Sequence, residues 1–172
     1  MNAGNESRLG AVKSRTTVER KSDREVVVTR TVNGPARIVF EAFTRADLFK
    51  RWWVPKSMGM KLLSCELDAR VGGKYRLVFD HSPEPMAFYG TYVEVQPNSR
   101  LAWTNEEGGE GGSVTTVTFE EQGDRTLVVL TERYPSKEAL DAAGTGAVDA
   151  MGEQFNQLDE LLVALGESSG QK

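Results

Sequence analysis

Apolar side chains between residues 147 and 165 recur every three or four positions, which predicts one long amphipathic helix near the C-terminus. At 1.5 Å per residue, this helix would be about 28 Å long. Gly144-Thr145-Gly146 precedes it as a break, and Gly166 is expected to be the first residue beyond its end. The apolar stripe comprises Val148, Met151, Phe155, Leu158, Leu162 and Leu165. The opposite, polar face comprises Asp149, Glu153, Asn156, Asp159 and Glu160.

Ahead of this helix, the chain has the pattern of β-strands joined by short turns. A β-branched segment at 25–32 is the first strand, and weaker strand character begins at 16–18. The later strands are predicted at 60–68, 74–80, 87–96, 100–105, 114–121 and 125–132. Because parallel strands need crossover connections of about a dozen residues or more, these short connections predict an antiparallel sheet.

Two short helices are predicted between the first strand and the others. The first covers 35–43, where apolar residues take helical spacing after an opening proline. Thr44 is expected to cap the second, which carries Trp52 and Trp53 and ends before Pro55. Since tandem tryptophans cannot both face inward from one helix, one should lie near the surface or at a cavity entrance.

The order of these elements predicts an α+β fold of the helix-grip type. A curved antiparallel sheet of about six or seven strands would wrap on the C-terminal helix, the only element long enough to cover its apolar face. A further short helix at 137–143, capped by Ser136, should precede it. We expect one domain at 16–165, a disordered tail at 1–15 and a flexible tail at 166–172.

Composition disfavours several classes of protein. The net charge is −4 and basic residues dominate only the first 24 positions, whereas nucleic-acid binding needs a basic surface. No apolar run approaches the roughly 20 residues of a membrane span, and the N-terminus lacks a secretory signal. We therefore expect a cytoplasmic protein that neither binds nucleic acid nor inserts into a membrane. We also expect a monomer or a weak dimer.

Seven short segments occur in a characteristic order across residues 16–165. They are Thr29-Arg30 leading to Pro35, Thr44-Arg45-Ala46-Asp47-Leu48, Trp52-Trp53-Val54-Pro55, Asp68-Ala69-Arg70-Val71-Gly72-Gly73, Phe88-Tyr89-Gly90-Thr91-Tyr92-Val93-Glu94-Val95, Arg100-Leu101-Ala102-Trp103-Thr104, and Tyr134-Pro135-Ser136-Lys137-Glu138. In this order they resemble the START and birch-pollen-allergen-like helix-grip superfamily (SRPBCC), and within it the family named for the activator of the heat-shock-protein ATPase. The resemblance implies a cavity between sheet and helix, where many relatives bind lipids, hormones or polyketides. The namesake is a co-chaperone, so fold analogy does not select a function.

The sequence contains no recognisable catalytic or metal-binding constellation. Zinc takes three or four ligands, and the chain has one histidine and one cysteine. His81 lies in a proline-rich turn and is interpreted as a solvated residue. Cys65 lies in a predicted strand and is interpreted as a small buried side chain. We expect no catalytic residue, no metal site and no cofactor.

Three charged residues share strand faces with apolar neighbours, namely Arg76, Glu94 and Glu132. Facing inward, they would anchor a ligand or act as an acid–base pair. The interpretation we favour places them on the solvent face or in a structural Arg–Glu pair near the cavity mouth. The aromatic residues are numerous enough to line a cavity and also to fill a core. The candidate ligand-binding residues are Trp53, Tyr75, Arg76, Phe88, Tyr92, Trp103, Phe119, Glu132, Met151, Phe155 and Leu158.

The leading hypothesis is a non-enzymatic domain that binds a small apolar or amphipathic molecule between sheet and helix. One alternative is a protein-interaction module of the co-chaperone or stress-response type, with a protein partner on the outer sheet face or on the basic N-terminal arm. A second alternative is a cyclase- or hydrolase-like enzyme that uses the cavity. The sequence alone leaves all three open.

Overall fold

The computed structural model describes residues 16–106, 112–143 and 150–170. Several predictions lie outside these ranges: the disordered tail at 1–15, the break at Gly144-Thr145-Gly146, and Val148 and Asp149 of the C-terminal helix. Within the described residues, the predicted α+β helix-grip architecture is confirmed.

The strands and helices occur in the predicted order along the chain. The strands are β1 (Thr17–Arg20), β2 (Glu25–Val32), β3 (Leu62–Leu67), β4 (Lys74–Phe79), β5 (Met86–Gln96), β6 (Arg100–Thr104), β7 (Val114–Gln122) and β8 (Arg125–Arg133). The helices are α1 (Ala36–Thr44), α2 (Ala46–Phe49), α3 (Lys137–Ala143) and α4 (Met151–Gly170), with one turn of 3-10 helix at Lys56–Met58. None of the helices in the described part of the chain is long and apolar enough to cross a bilayer.

The strands of the described ranges form one antiparallel sheet in the order β1-β2-β8-β7-β6-β5-β4-β3. Strand β2 pairs with the last strand of the sequence, so that Val28 lies opposite Leu130. The sheet has eight strands among the described residues, slightly more than the predicted six or seven, because the edge strand β1 also pairs, with Thr17 opposite Thr29.

Helix α4 buries its apolar stripe against the core. The stripe residues that are buried or partly buried are Met151, Phe155, Leu158, Leu162 and Leu165. The helix was predicted to end before Gly166, and this prediction is wrong because α4 continues to Gly170. A Cβ on Gly166 would meet nothing within 4 Å, and a helix tolerates such a glycine at about 1 kcal/mol relative to alanine.

The polar face of α4 carries an ion pair into the interior. Asp159 is only 9% exposed, and its Oδ2 accepts a 2.5 Å hydrogen bond from Nη2 of Arg30, which is 3% exposed. Nη1 of Arg30 donates to Asn156 Oδ1 and to Thr16 Oγ1, each at 2.9 Å. The backbone N–H of Asn33 donates to Asp159 Oδ1 at 2.7 Å. The pair therefore joins α4 to β2, and only part of the polar face is exposed.

The boundary between α1 and α2 differs from the prediction. Thr44 is the last residue of α1 and does not cap α2, because its hydroxyl donates to the carbonyl of Phe40 at 2.9 Å. Arg45 occupies the N-cap position of α2 without a side-chain capping bond. Helix α2 ends at Phe49, so both tryptophans lie in the turn that follows it.

Trp52 lies at the centre of the core and is fully buried. Its Nε1 donates to the carbonyl of Ala42 at 2.9 Å. Its ring centroid is 4.8 Å from that of Phe43 and 6.3 Å from that of Phe155 on α4. Trp53 is only partly buried. One tryptophan of the tandem thus fills the core while the other lies nearer the surface, as expected.

Candidate ligand-binding cavity

A cavity of about 470 Å³ lies between the inner face of the sheet and the first turn of α4. Its volume falls within the range of roughly 300–1,000 Å³ that is usual for small-molecule sites. The aromatic lining residues are Phe43, Phe49, Trp53, Tyr75, Phe79, Phe88, Tyr92, Trp103 and Tyr134. The polar lining residues are Asn105, Ser113, Thr115, Glu132 and Gln154. The cavity is therefore mostly apolar, with a small set of polar groups.

Strand alternation builds the wall formed by β4. Tyr75, Leu77 and Phe79 are 7%, 4% and 8% exposed, because successive residues of a strand point to opposite faces. Lys74 and Arg76 point to the outer face and are exposed. The inner residues of β4 thus present a continuous apolar surface to the cavity.

Gly90 on β5 is required by the close approach of β6 and Tyr75. A Cβ at this position would lie 1.8 Å from the carbonyl oxygen of Thr104 and 2.7 Å from the Tyr75 ring. The Tyr75 hydroxyl lies 2.9 Å from the same carbonyl oxygen, within hydrogen-bond range. The missing side chain therefore allows Tyr75 to lie over β5 and reach the polar end of the cavity.

A chain of hydrogen bonds crosses the cavity wall at this end. The Tyr75 hydroxyl is 3.0 Å from Asn105 Oδ1, to which it can donate. Asn105 Nδ2 donates to Thr115 Oγ1 and to Ser113 Oγ, each at 3.0 Å. The Thr115 hydroxyl donates in turn to Glu132 Oε1. Four strands or strand ends thereby contribute to one polar network that includes the carboxylate of Glu132.

Glu132 supplies the one charged side chain among the described residues that line the cavity. Burial raises the pKa of the neighbouring Tyr134, and the negative charge of Glu132 adds to the rise. Burial likewise raises the pKa of Tyr92. Both phenols are therefore protonated, neutral groups at physiological pH.

Polar residues of α4 hold the loop that follows α2 and forms the rim of the cavity. Gln157 Nε2 donates to the carbonyls of Trp52 and Val54 at 2.9 Å each, and its Oε1 accepts from the Lys56 amide at 2.8 Å. Next to it, the amide and hydroxyl of Ser57 donate to Glu153 and hold the pKa of that carboxyl below its ordinary value. The side-chain amide of Gln154 donates to the Trp53 carbonyl. We call residues 52–57 the rim loop.

The structure brings most of the candidate residues together. Those that line the cavity are Trp53, Tyr75, Phe88, Tyr92, Trp103, Glu132 and Met151. Phe119, Phe155 and Leu158 are buried in the core and do not line the cavity. A ligand-binding role for any of them stays a prediction.

Two of the charged candidates lie outside the cavity. Arg76 is exposed on the outer face of the sheet, since the alternation of β4 turns Tyr75 inward. A register shift in β5 between Tyr92 and Glu94 turns Glu94 outward as well, and Arg100 Nε donates to its Oε1 at 2.8 Å. Both positions agree with the structural interpretation, whereas Glu132 lines the cavity.

Sequence reasoning did not identify Asn105, Thr115 and Gln154. Thr115 shares its strand face with Phe119, and Gln154 lies one helical turn from Met151. The strand and helix periodicities that selected Phe119 and Met151 could therefore have identified both residues as well. Asn105 follows the end of β6, where no periodicity specifies the direction of a side chain. Its role depends on the packing of Tyr75 against that strand end.

The positions of Cys65 and His81 agree with their interpretation. Cys65 is partly buried, its Sγ lies 4.0 Å from the Ala46 carbonyl, and burial raises its pKa to about 11. The thiol is thus protonated at neutral pH and weakly nucleophilic. His81 is exposed in its turn. Within residues 16–106, 112–143 and 150–170, no group of three or more His, Cys, Asp or Glu residues could hold a metal ion.

Comparisons with known proteins agree with the fold. The family model described as Activator of Hsp90 ATPase homolog 1-like protein matches residues 33–163. A crystal structure from Rhodobacter sphaeroides has a TM-score of 0.77 and 21% identity, covering 87% of this chain and 99% of that chain. One from Nitrosomonas europaea has a TM-score of 0.76 and 19% identity, covering 86% and 99%. A solution structure from Staphylococcus epidermidis has a TM-score of 0.71 and 25% identity, covering 86% and 94%. The search of curated proteins finds no match.

Proposed function

The chain belongs to the family of Activator of Hsp90 ATPase homolog 1-like proteins, and we propose that it binds a small apolar or amphipathic molecule in the cavity beside α4. The observation that carries the proposal is the cavity itself, about 470 Å³ in volume and lined mainly by aromatic and aliphatic side chains. A few convergent polar groups in an apolar cavity are typical of sites that orient a small ligand.

The rim of the cavity supports the same proposal. Met58, Met60 and Met86 line it, and methionine adapts to ligands of different shape because its unbranched side chain has three rotatable bonds. The rim loop is held by side-chain hydrogen bonds from α4 and contributes little to the buried centre of the core apart from Trp52. A ligand would therefore meet an adaptable edge and a rigid, strand-built wall.

A cavity-filling substitution tests the proposal. Met86→Trp adds side-chain volume at a partly buried lining position, whereas Tyr89→Trp adds it on the outer face of the same strand. We expect native mass spectrometry and NMR titration with fatty acids, sterols and aromatic polyketides to find a ligand for the unmodified protein. Its affinity should fall at least tenfold in Met86→Trp and stay unchanged in Tyr89→Trp. Equal affinity in all three proteins, or no ligand from the panel, would contradict the proposal.

A second candidate function is a protein-interaction module of the co-chaperone type. The supporting observation is a pair of exposed apolar side chains on the outer face of β5, where Tyr89 is 40% and Val93 is 48% exposed. The description of the matched family, which names an activator of an Hsp90 ATPase, supports the same candidate.

The two candidates separate in one assay. If the outer face acts on a chaperone, the protein should stimulate an Hsp90 ATPase, and the double variant Tyr89→Ser/Val93→Ser should lose that effect. Met86→Trp should retain it, because this substitution leaves the outer face unchanged. Absence of stimulation by the unmodified protein would count against the second candidate.

A further inference from the structure

Residues 50–61, which we call the basic segment, carry four basic side chains and no acidic one. A basic excess is therefore not confined to the first 24 positions. The segment has a charge of +4 in a chain whose net charge is −4, so the other residues together carry −8. We propose that this segment docks the protein on the surface of an anionic lipid bilayer. The proposal goes beyond the proposed function, because it concerns the outer surface next to the cavity and does not require the cavity to hold a ligand.

The fold brings the basic side chains of the segment to one surface cleft of about 310 Å³. They come from three places, namely the turn after α2, the 3-10 turn and the residue before β3. The basic lining residues, all of them exposed, are Lys50, Arg51, Lys56 and Lys61. The apolar lining residues are Val54, Pro55, Met60 and Leu62. The cleft therefore combines cations with an apolar surface.

The cleft has no compensating negative charge among the described residues. Its described lining includes no Asp or Glu. No carboxylate of the described ranges lies within 4.0 Å of a charged nitrogen of the four basic side chains. Lys74 and Arg76 provide a contrast, because the cleft that they line on the outer sheet face also includes Glu66 and Glu106. The cations of the basic segment can therefore pair with an external anion.

Exposed apolar groups adjoin these cations. Met58 is 55% exposed and lies in the same 3-10 turn as Lys56. Val54, Pro55 and Met60 line both the cleft and the cavity. Binding to a membrane surface combines electrostatic attraction to anionic lipids with burial of apolar side chains at the headgroup level. Docking through the basic segment would also place the rim of the cavity against the bilayer, so an apolar molecule could pass between them without crossing bulk water.

The composition of the segment favours a bilayer over a protein or a nucleic acid. Three of its four cations are lysines, which are depleted at protein–protein interfaces, whereas arginine is enriched there. A nucleic acid offers phosphates but no apolar layer for Met58. The negative charge of the other residues does not prevent docking, since exposed charges more than about 8 Å away are largely screened at physiological ionic strength.

Vesicles of two compositions test the proposal. At about 0.1 M salt, where the screening length is about 10 Å, the unmodified protein should sediment with vesicles of equimolar phosphatidylcholine and phosphatidylserine. It should not sediment with vesicles of phosphatidylcholine alone. At about 1 M salt the screening length is about 3 Å, so binding to the anionic vesicles should fall at least tenfold. Failure to sediment with the anionic vesicles would overturn the proposal, and this measurement needs no variant.

Two double variants of equal net charge provide the matched comparison. Lys56→Gln/Lys61→Gln removes two cations of the basic segment, and each contributes roughly fivefold near an anionic surface, so vesicle affinity should fall about 25-fold. Lys21→Gln/Lys137→Gln removes two exposed lysines elsewhere and should change affinity less than about threefold, because charges away from the bilayer are screened. Equal affinity of the two variants for the anionic vesicles would show that the basic segment does not direct the binding.

Soluble anions separate a bilayer from the other partners of a basic surface. The probes are inorganic phosphate, polyglutamate and a DNA duplex, each titrated by NMR at the salt concentration of the vesicle assay. Met58→Ser should lower the affinity for anionic vesicles about threefold or more, because an apolar contact is lost, and leave the binding of soluble anions unchanged. Tighter binding of a soluble anion than of the vesicles, or no effect of Met58→Ser on vesicle binding, would overturn the proposal. None of these measurements uses a cavity ligand, so the docking proposal and the proposed function are tested separately.

Discussion

Gly90 shows how one residue without a side chain shapes the cavity. The carbonyl oxygen of Thr104 and the ring of Tyr75 occupy the space where a Cβ would lie. The hydroxyl of that tyrosine then lies within hydrogen-bond range of both the Thr104 carbonyl and the Asn105 side chain. Close packing therefore requires glycine at this position. Its small size allows Tyr75 both to form part of the cavity wall and to reach the polar end of the cavity.

Gly90→Ala should destabilise the protein by about 3 kcal/mol or more, because a backbone carbonyl at 1.8 Å cannot move aside as the end of a flexible side chain can. Urea unfolding measures the change. Gly152→Ala is the control, since a Cβ there meets nothing within 4 Å and alanine favours helix, so its stability should be equal or higher by up to about 1 kcal/mol. Similar small effects for both substitutions would show that β5 and β6 separate more easily than we infer.

At the scale of elements, α4 has two functions along its length. Its apolar stripe covers the core, and its first turns hold the rim loop through Glu153, Gln154 and Gln157. Gln157 alone contacts three backbone groups of that loop. Because the loop has no regular secondary structure from Trp52 to Pro55, these side chains satisfy backbone groups that a helix or strand would otherwise pair.

Gln157→Ala should loosen the rim loop without unfolding the protein. The amide of Lys56 loses its acceptor, so its hydrogen exchange should accelerate about tenfold or more, while exchange in the core strands changes little. Hydrogen exchange followed by NMR measures both sets of amides. Glu160→Ala, an exposed position on the same helix, is the matched control and should leave the Lys56 amide protected. Protection of that amide in both variants would mean that other contacts hold the loop.

At the scale of the whole molecule, the Arg30–Asp159 pair connects the two layers of the fold. Asp159→Asn would leave the buried Arg30 guanidinium without its charged partner, which should destabilise the protein by about 3–5 kcal/mol in thermal or urea unfolding. Asp68→Asn is the control, because it breaks an exposed pair in which the side chain of Asp68 is 52% and that of Arg70 is 78% exposed. This substitution should change the free energy of unfolding by less than about 1 kcal/mol. If Asp159→Asn were as mild as Asp68→Asn, the pair would not be a principal connection between sheet and helix.

Much of the architecture could be predicted because each element has a clear periodicity. Apolar side chains recur at every second residue in the strands and at every third or fourth residue in α4. Both patterns arise because one face of each element must be buried. The predictions for Thr44 and Gly166 were wrong for a different reason. A threonine can bond the carbonyl four residues back instead of capping the next helix, and an exposed glycine can be tolerated within a helix. Such local choices depend on surroundings that a pattern does not contain.

The candidate site was less predictable than the fold. Aromatic residues such as Tyr75 and Trp103 were candidates because the chain has enough aromatic side chains to line a cavity, and both line it. Glu94 has the same apparent parity as Tyr92, but a bulge between them reverses it, and the pattern alone does not reveal an inserted residue. The network at Asn105 depends on contacts between segments that are distant in sequence. Side chains that act through such contacts become visible only in the folded structure.

The pairing of β2 with β8 has a consequence for how the protein is made. Val28 can pair with Leu130 only after nearly all of the sheet has been synthesised. The valines of β2 therefore stay unpaired with β8 while most of the chain emerges from the ribosome. Contacts so distant in sequence raise the relative contact order, and high contact order slows folding. The apolar face of β2 is therefore covered only after β8 and α4 have been synthesised, and until then it is an exposed apolar surface of the nascent chain.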